Sequence, residues 1–234
     1  MVSFIGYLDG ITAIGIILSS TIFGILSLYH ARQLRAKLLY VAGLLIFFVG
    51  LLWLGPSVDL MLLLFTGKNI SPIYVYSLLS YVWVPAAIIC AMYLGCEIMV
   101  PDKKKIIVGV YVVLAIIFWY FIFFENANSF VFKLDNPGQD TIDSSFVRAS
   151  VAYLLIITFL ISALIFLGIG FAIKAKQATG DLRKKFRYLS IGFIIFVVCG
   201  ALDSVIPPGI AIGFVRVVMM LGFPSSMYLG LKTT

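Results

Sequence analysis

Histidine is almost missing from this sequence of 234 residues: His30 stands alone, beside only three cysteines, Cys90, Cys96 and Cys199. Bis-histidine haem needs two imidazoles and zinc hydrolases usually need two or three, so the expected metal and cofactor content is none. Three thiols, each inside an apolar stretch, read as small buried hydrophobes and not as a disulfide framework. Also missing are Gly-x-Ser-x-Gly, His-Glu-x-x-His and a phosphate loop, and no lysine occupies the middle of the last apolar run, where a retinal Schiff base would be sought. No catalytic residue is assigned, and an enzyme is not expected. Charge is the largest shortage. Only 12% of residues are charged, against roughly a quarter in a soluble domain, while 62% are hydrophobic and the mean hydropathy is +1.14. Polar side chain is too scarce to cover a soluble globule, so the composition implies an integral membrane protein.

What is abundant is apolar runs near the ~20 residues that cross a bilayer as helix. Seven are predicted, at about 4–29, 37–57, 72–99, 106–124, 146–173, 187–206 and 210–231. The expected fold is therefore all-α, one seven-helix transmembrane domain over 1–234, with an outer loop at 125–145. Met1–Asp9 lacks a basic n-region and the run after it is too long for a cleaved signal core, so the first span reads as a retained anchor. Lys and Arg set the orientation, because cytoplasmic loops keep positive charge. Thirteen fall on one side, at Arg32, Arg35, Lys37, Lys103, Lys104, Lys105, Lys174, Lys176, Arg183, Lys184, Lys185, Arg187 and Lys232, against Lys68, Lys133 and Arg148 on the other. The N-terminus is expected outside and the C-terminus in the cytoplasm, in a multi-pass protein of the cell membrane. The net charge of +7 then belongs to loops facing anionic headgroups and implies no nucleic acid.

Span 2 runs on through Asp59 to Phe65, and Pro56 lacks a backbone donor, which predicts a kink or break there with Leu60–Phe65 packed at the outer surface. In the outer loop, the alternation Phe130-Val131-Phe132-Lys133 and the turn residues Asp135-Asn136-Pro137-Gly138 predict a short hairpin. Glu125, Asp135, Asp140 and Asp143 make that loop acidic, but Pro137 and Gln139 break calcium-loop spacing. Asn69-Ile70-Ser71 is a formal glycosylation sequon close to the membrane.

Ionisable residues within apolar spans are costly and call for a partner or a cavity. Asp59, Asp203, Arg216 and, at the inner end of span 3, Glu97 qualify. Only Pro207-Pro208-Gly209 separates spans 6 and 7, which places Asp203 and Arg216 on adjacent antiparallel helices as candidates for an ion pair, with Asp59 at similar depth. Gly192, Phe196, Gly200 and Asp203 share one face of span 6, and Gly213, Arg216, Met220 and Pro224 one face of span 7. Tyr76, Ser80 and Trp83 align on span 3 above Pro85. These residues line either an outward-opening pocket or a packed interface fixed by charge. The connector holding Lys174, Lys176, Arg183, Lys184, Lys185 and Arg187 is the most basic, a solvated topology signal or a contact for anionic lipid and a protein partner.

The stretch Gly180-Asp-Leu-Arg183-Lys-Lys-Phe-Arg187-Tyr-Leu-Ser-Ile-Gly192, with Gly200-Ala-Leu-Asp203, Arg216-Val-Val-Met-Met-Leu-Gly222 and Tyr228-Leu-Gly-Leu231, resembles the seven-span membrane region at the N-terminus of some histidine kinases and of stand-alone archaeal proteins. The likeness covers the basic connectors and spans 5 to 7 best, and spans 2 and 3 loosely. It implies a sensor module. The chain departs from the kinases in ending at Thr234 with no phosphoacceptor or ATP-binding domain, so output would pass to a separate protein; His30, at the inner end of span 1, is placed for an interfacial role. The resulting expectation is a non-catalytic, receptor-like signal-transduction module whose outer half takes the input, with a protein partner or a second copy of the chain to receive it. An accessory subunit of a larger complex is the second reading and a small transporter or channel the third.

Overall fold

The structure, a computed structural model, describes residues 2–206 and 209–232. Among these, seven helices are long and apolar enough to cross a membrane: α1 (Phe4–Leu34), α2 (Lys37–Thr66), α3 (Tyr74–Met99), α4 (Pro101–Phe124), α5 (Val151–Gln177), α6 (Gly180–Asp203) and α7 (Ile210–Leu231). Without water in hydrocarbon every backbone donor needs an internal partner, which makes continuous helix the obligatory answer to such a composition. The protein is an all-α, multi-pass membrane protein. The Pro207-Pro208 part of the expected α6–α7 turn lies outside the described residues.

The helices form a ring in chain order, closed by α1, which packs on both α2 and α7; α3 also reaches across to α5. Small residues permit the tight crossings. A Cβ on Gly50 would stand 2.4 Å from Ser20 Cβ, and one on Gly10 2.4 Å from Leu60 Cβ, so α1 and α2 meet backbone to side chain. Large apolar side chains face outward, among them Phe124, Phe214 and Ile106, each more than 70% exposed, as suits contact with lipid.

Three helices carry interruptions. In α2 a 3-10 turn at Leu51–Trp53 precedes Pro56, so the break falls before the proline whose missing N–H provokes it. Beyond it helix continues to Thr66, with Leu60 and Leu63 buried and Met61, Leu64 and Phe65 exposed. In α3, Val82 and Trp83 interrupt the helix ahead of Pro85, and Trp119 of α4 donates to the Val82 carbonyl at 3.0 Å. In α5, Leu164–Ile169 is a π-helical turn.

A one-turn helix (Asn126–Ser129) leads into the hairpin β1 (Phe130–Lys133) and β2 (Asp143–Phe146), antiparallel with Lys133 opposite Asp143. The hairpin caps the end where α2, α4 and α6 finish. The opposite end carries the basic residues. Here the expected connector of 174–187 is almost wholly helical, since α5 runs to Gln177 and α6 starts at Gly180, which has a positive φ of 59°. Hydropathy falls away before the helix does, because Lys and Arg are good helix formers.

A charge-lined cavity at the hairpin end

Asp9 lies two turns into α1, whose start is capped by Ser3 Oγ accepting from Gly6 N at 3.0 Å. Arg216 lies two turns into α7, and Asp203 is the last residue of α6. Gly213 brings α7 against α1, since a Cβ there would come within 2.6 Å of Leu8. This approach lets one guanidinium join three helices. Arg216 Nε donates to Asp203 Oδ1 at 2.7 Å, while Nη1 donates to the Asp9 carboxylate and to the Asp9 backbone carbonyl at 3.2 Å.

The remaining carboxylate oxygens are also engaged. Thr141 Oγ1, from the hairpin loop, donates to Asp9 Oδ2 at 3.1 Å, and Trp53 Nε1, from the 3-10 turn of α2, donates to Asp203 Oδ2 at 3.2 Å. Only 9% of the Arg216 side chain and 3% of the Asp9 side chain are exposed, so these charges are desolvated and depend on one another. Two carboxylates share one guanidinium, which leaves the network with an excess negative charge.

The network forms one wall of a cavity of about 100 Å³, completed by Tyr76, Ser80 and Tyr81 of α3 and by Asp143 and Ser144 of β2. Ser80 Oγ itself is packed against Gly55 of α2, buried and without a hydrogen-bond partner. Burial pushes the Asp143 carboxyl above the ordinary Asp value, and the negative charges of Asp9 and Asp203 add to this, with Lys133 and Arg216 opposing. A second cavity of about 60 Å³, lined by apolar side chains, shares Leu52, Val84, Ile156, Leu160 and Phe196 with the first. It extends to Leu167, inside the π-helical turn of α5. Ser190 of α6 donates to the Gly168 carbonyl of that turn at 2.7 Å.

Of the residues selected from sequence, the structure brings Asp203, Arg216 and Tyr76 to the cavity and leaves two outside it. Asp59 is fully buried but clasps loops: it accepts from Ile70 N and Ile142 N, each at 2.8 Å, and from Asn69 Nδ2 at 3.0 Å. Asn69 also donates to the Asp140 carbonyl and accepts from Gly138 N, so its amide is built into the fold as a structural group. Trp83 donates to the Leu79 carbonyl and stacks on Phe48, away from the cavity. Glu97 pairs with Lys104 across the α3–α4 junction, where the ammonium also lies over the Tyr93 ring.

Sequence reasoning missed Asp9, Thr141 and Trp53. Asp9 had a signal: it is an acid at the head of an apolar run, at the depth expected of Arg216. At the opposite end Lys176, Arg183, Lys184 and Arg187 are exposed and Lys174 and Lys185 half-buried, on the end of α5 and the start of α6, with Lys184 3.7 Å from Asp181. No protein-family model matches the chain and no curated protein matches it, so the reading of this site rests on the charge network, the cavity and the helices that hold them.

Proposed function

We propose that this protein is a non-catalytic, receptor-like sensor module of the cell membrane, with its N-terminus outside, its C-terminus in the cytoplasm and its basic end against anionic headgroups. The input site is the cavity around Arg216. The output surface is the end of α5 and the start of α6, carrying Lys174, Lys176, Arg183, Lys184, Lys185 and Arg187, offered to a cytosolic or membrane partner.

One observation carries this reading: the polar cavity continues into an apolar one that ends on the π-helical turn of α5. Such turns recur at functional sites, since their hydrogen bonds can revert to the α pattern with a rotation of the helix on their C-terminal side. In this chain that side is the α5 segment bearing Lys174 and Lys176, and the turn is tied to α6 through Ser190. The turn is thus placed where a ligand acts on it from one side and a partner from the other. The apolar lining of the second cavity weighs against a hydrated transport path.

Purification of the tagged protein in mild detergent from its own cells, with mass spectrometry of what co-purifies, tests the output half. A stoichiometric protein partner that is lost from Lys184→Glu/Arg187→Glu, while the Asp203→Asn protein retains it in altered proportion, is the expected result. A partner indifferent to both changes makes the chain an accessory subunit, and recovery without a protein partner contradicts the relay.

A further inference from the structure

The cavity wall holds three carboxylates, Asp9, Asp143 and Asp203, against the single guanidinium of Arg216. Arg216 is committed to Asp9 and Asp203 through Nε and Nη1, and Lys133, opposite Asp143 across the hairpin, is not part of the lining. A desolvated pocket with surplus negative charge is relieved by a cation. Among the described residues no group of His, Cys, Asp or Glu is arranged to hold a metal ion. An ammonium head, which needs hydrogen-bond acceptors and no metal coordination shell, suits this wall.

Two features of the wall narrow its class. Trp53, Tyr81 and Phe146 bring aromatic rings to the same space, which favour an ammonium over a neutral ligand. The five residues shared with the apolar cavity lead away from the charges, so the occupant has a tail. A cavity of about 150 Å³ accommodates benzene, and volumes of 100 and 60 Å³ meeting along one wall match a ligand of similar size.

We propose that the joined cavities bind a short-chain primary alkylammonium ion, its head between Asp143 and Asp203 and its tail along Leu52, Val84 and Phe196. This assignment rests on the reading of the cavity as an input site and names the ligand class it takes.

Isothermal titration of the purified protein in detergent with n-butylammonium chloride tests it, against ammonium chloride, n-butanol and sodium chloride at matched ionic strength. Saturable binding of butylammonium, roughly tenfold or more tighter than ammonium or butanol, is expected, as is a similar loss in Asp143→Asn, the worth of one charge-assisted contact. Asp143 lies on the hairpin, outside the Arg216 network, and an unfolding midpoint no lower than that of wild type certifies the fold of the variant. A second variant, Ile156→Phe, fills the shared wall and is expected to bring butylammonium down to the affinity of ammonium. Absence of saturable binding, equal binding of butanol, or tight binding unaltered by both variants overturns the assignment. Hydrogen exchange over 164–177 separates the two claims: binding with no change there supports the ligand and contradicts the relay.

Discussion

Arg216 of α7 and Asp9 of α1 stand 207 positions apart and share two contacts at one guanidinium nitrogen, through the carboxylate and the backbone carbonyl of Asp9. This junction closes the ring of helices at the hairpin end, and Asp203 completes it from α6. Replacing Arg216 by Leu leaves two buried carboxylates without their counter-charge, a change expected to cost about 3–5 kcal/mol. Asp203→Asn keeps the Asp9 contact and is expected to cost less, and Lys103→Met, at an exposed position, almost nothing. Unfolding midpoints in detergent check the order; equal effects at all three positions contradict the network.

Asp59→Asn tests a different element. The carboxylate accepts from two backbone amides and from Asn69, and an amide side chain cannot accept from all three. The unsatisfied groups are expected to cost about 1–3 kcal/mol. Residue-resolved hydrogen exchange is expected to speed up at Ile70 and Ile142 while the Arg216 contacts stay intact.

The Asp143 carboxyl gives a pH signature. Its pKa is raised in the folded protein, by burial first and then by Asp9, so the folded state holds a proton that the unfolded chain has released. Stability contributed by this group is present at low pH and declines as pH rises from the ordinary value of 3.8 through the raised one, then levels off. The unfolding midpoint of the wild type, compared with Asp143→Asn, is expected to fall over that window; a difference independent of pH contradicts the assignment.

Much of the fold is legible in the sequence because apolar length is a one-dimensional signal, and the Asp203–Arg216 pairing comes from the short connection between two helices. Asp9 escapes such a reading because an acid near the start of an apolar run looks like part of the flank outside the membrane, and its partner lies at the far end of the chain. Asp59 looks alike by depth, yet loop amides and not charges surround it. The helical spacing Tyr76, Ser80, Trp83 fails at its last member because the break at Val82–Trp83 turns the helix before Trp83 can face the cavity, and Trp53 takes that place from the interruption in α2. The π-helical turn has no sequence signature at all, since Leu-Ile-Phe-Leu-Gly-Ile is equally good α-helix.

Helix spacing supplies a matched pair of variants. Gly50→Ala drives a Cβ to 2.4 Å from Ser20 Cβ and must separate α1 from α2, at about 1–3 kcal/mol. Gly109→Ala meets nothing within 4 Å and is expected to be neutral or to gain up to ~1 kcal/mol of helix propensity. Unfolding midpoints of the two variants, compared side by side, check the crossing.

Communication between the cavity and the basic end is tested most directly by hydrogen–deuterium exchange of wild type and Asp203→Asn, with α4 as the internal reference. Altered exchange is predicted at the π-helical turn and onward over 164–187, removed when Ser190→Ala already frees Gly168 from α6. A change confined to the hairpin and the residues around Arg216, with 164–187 exchanging as in wild type, contradicts the relay.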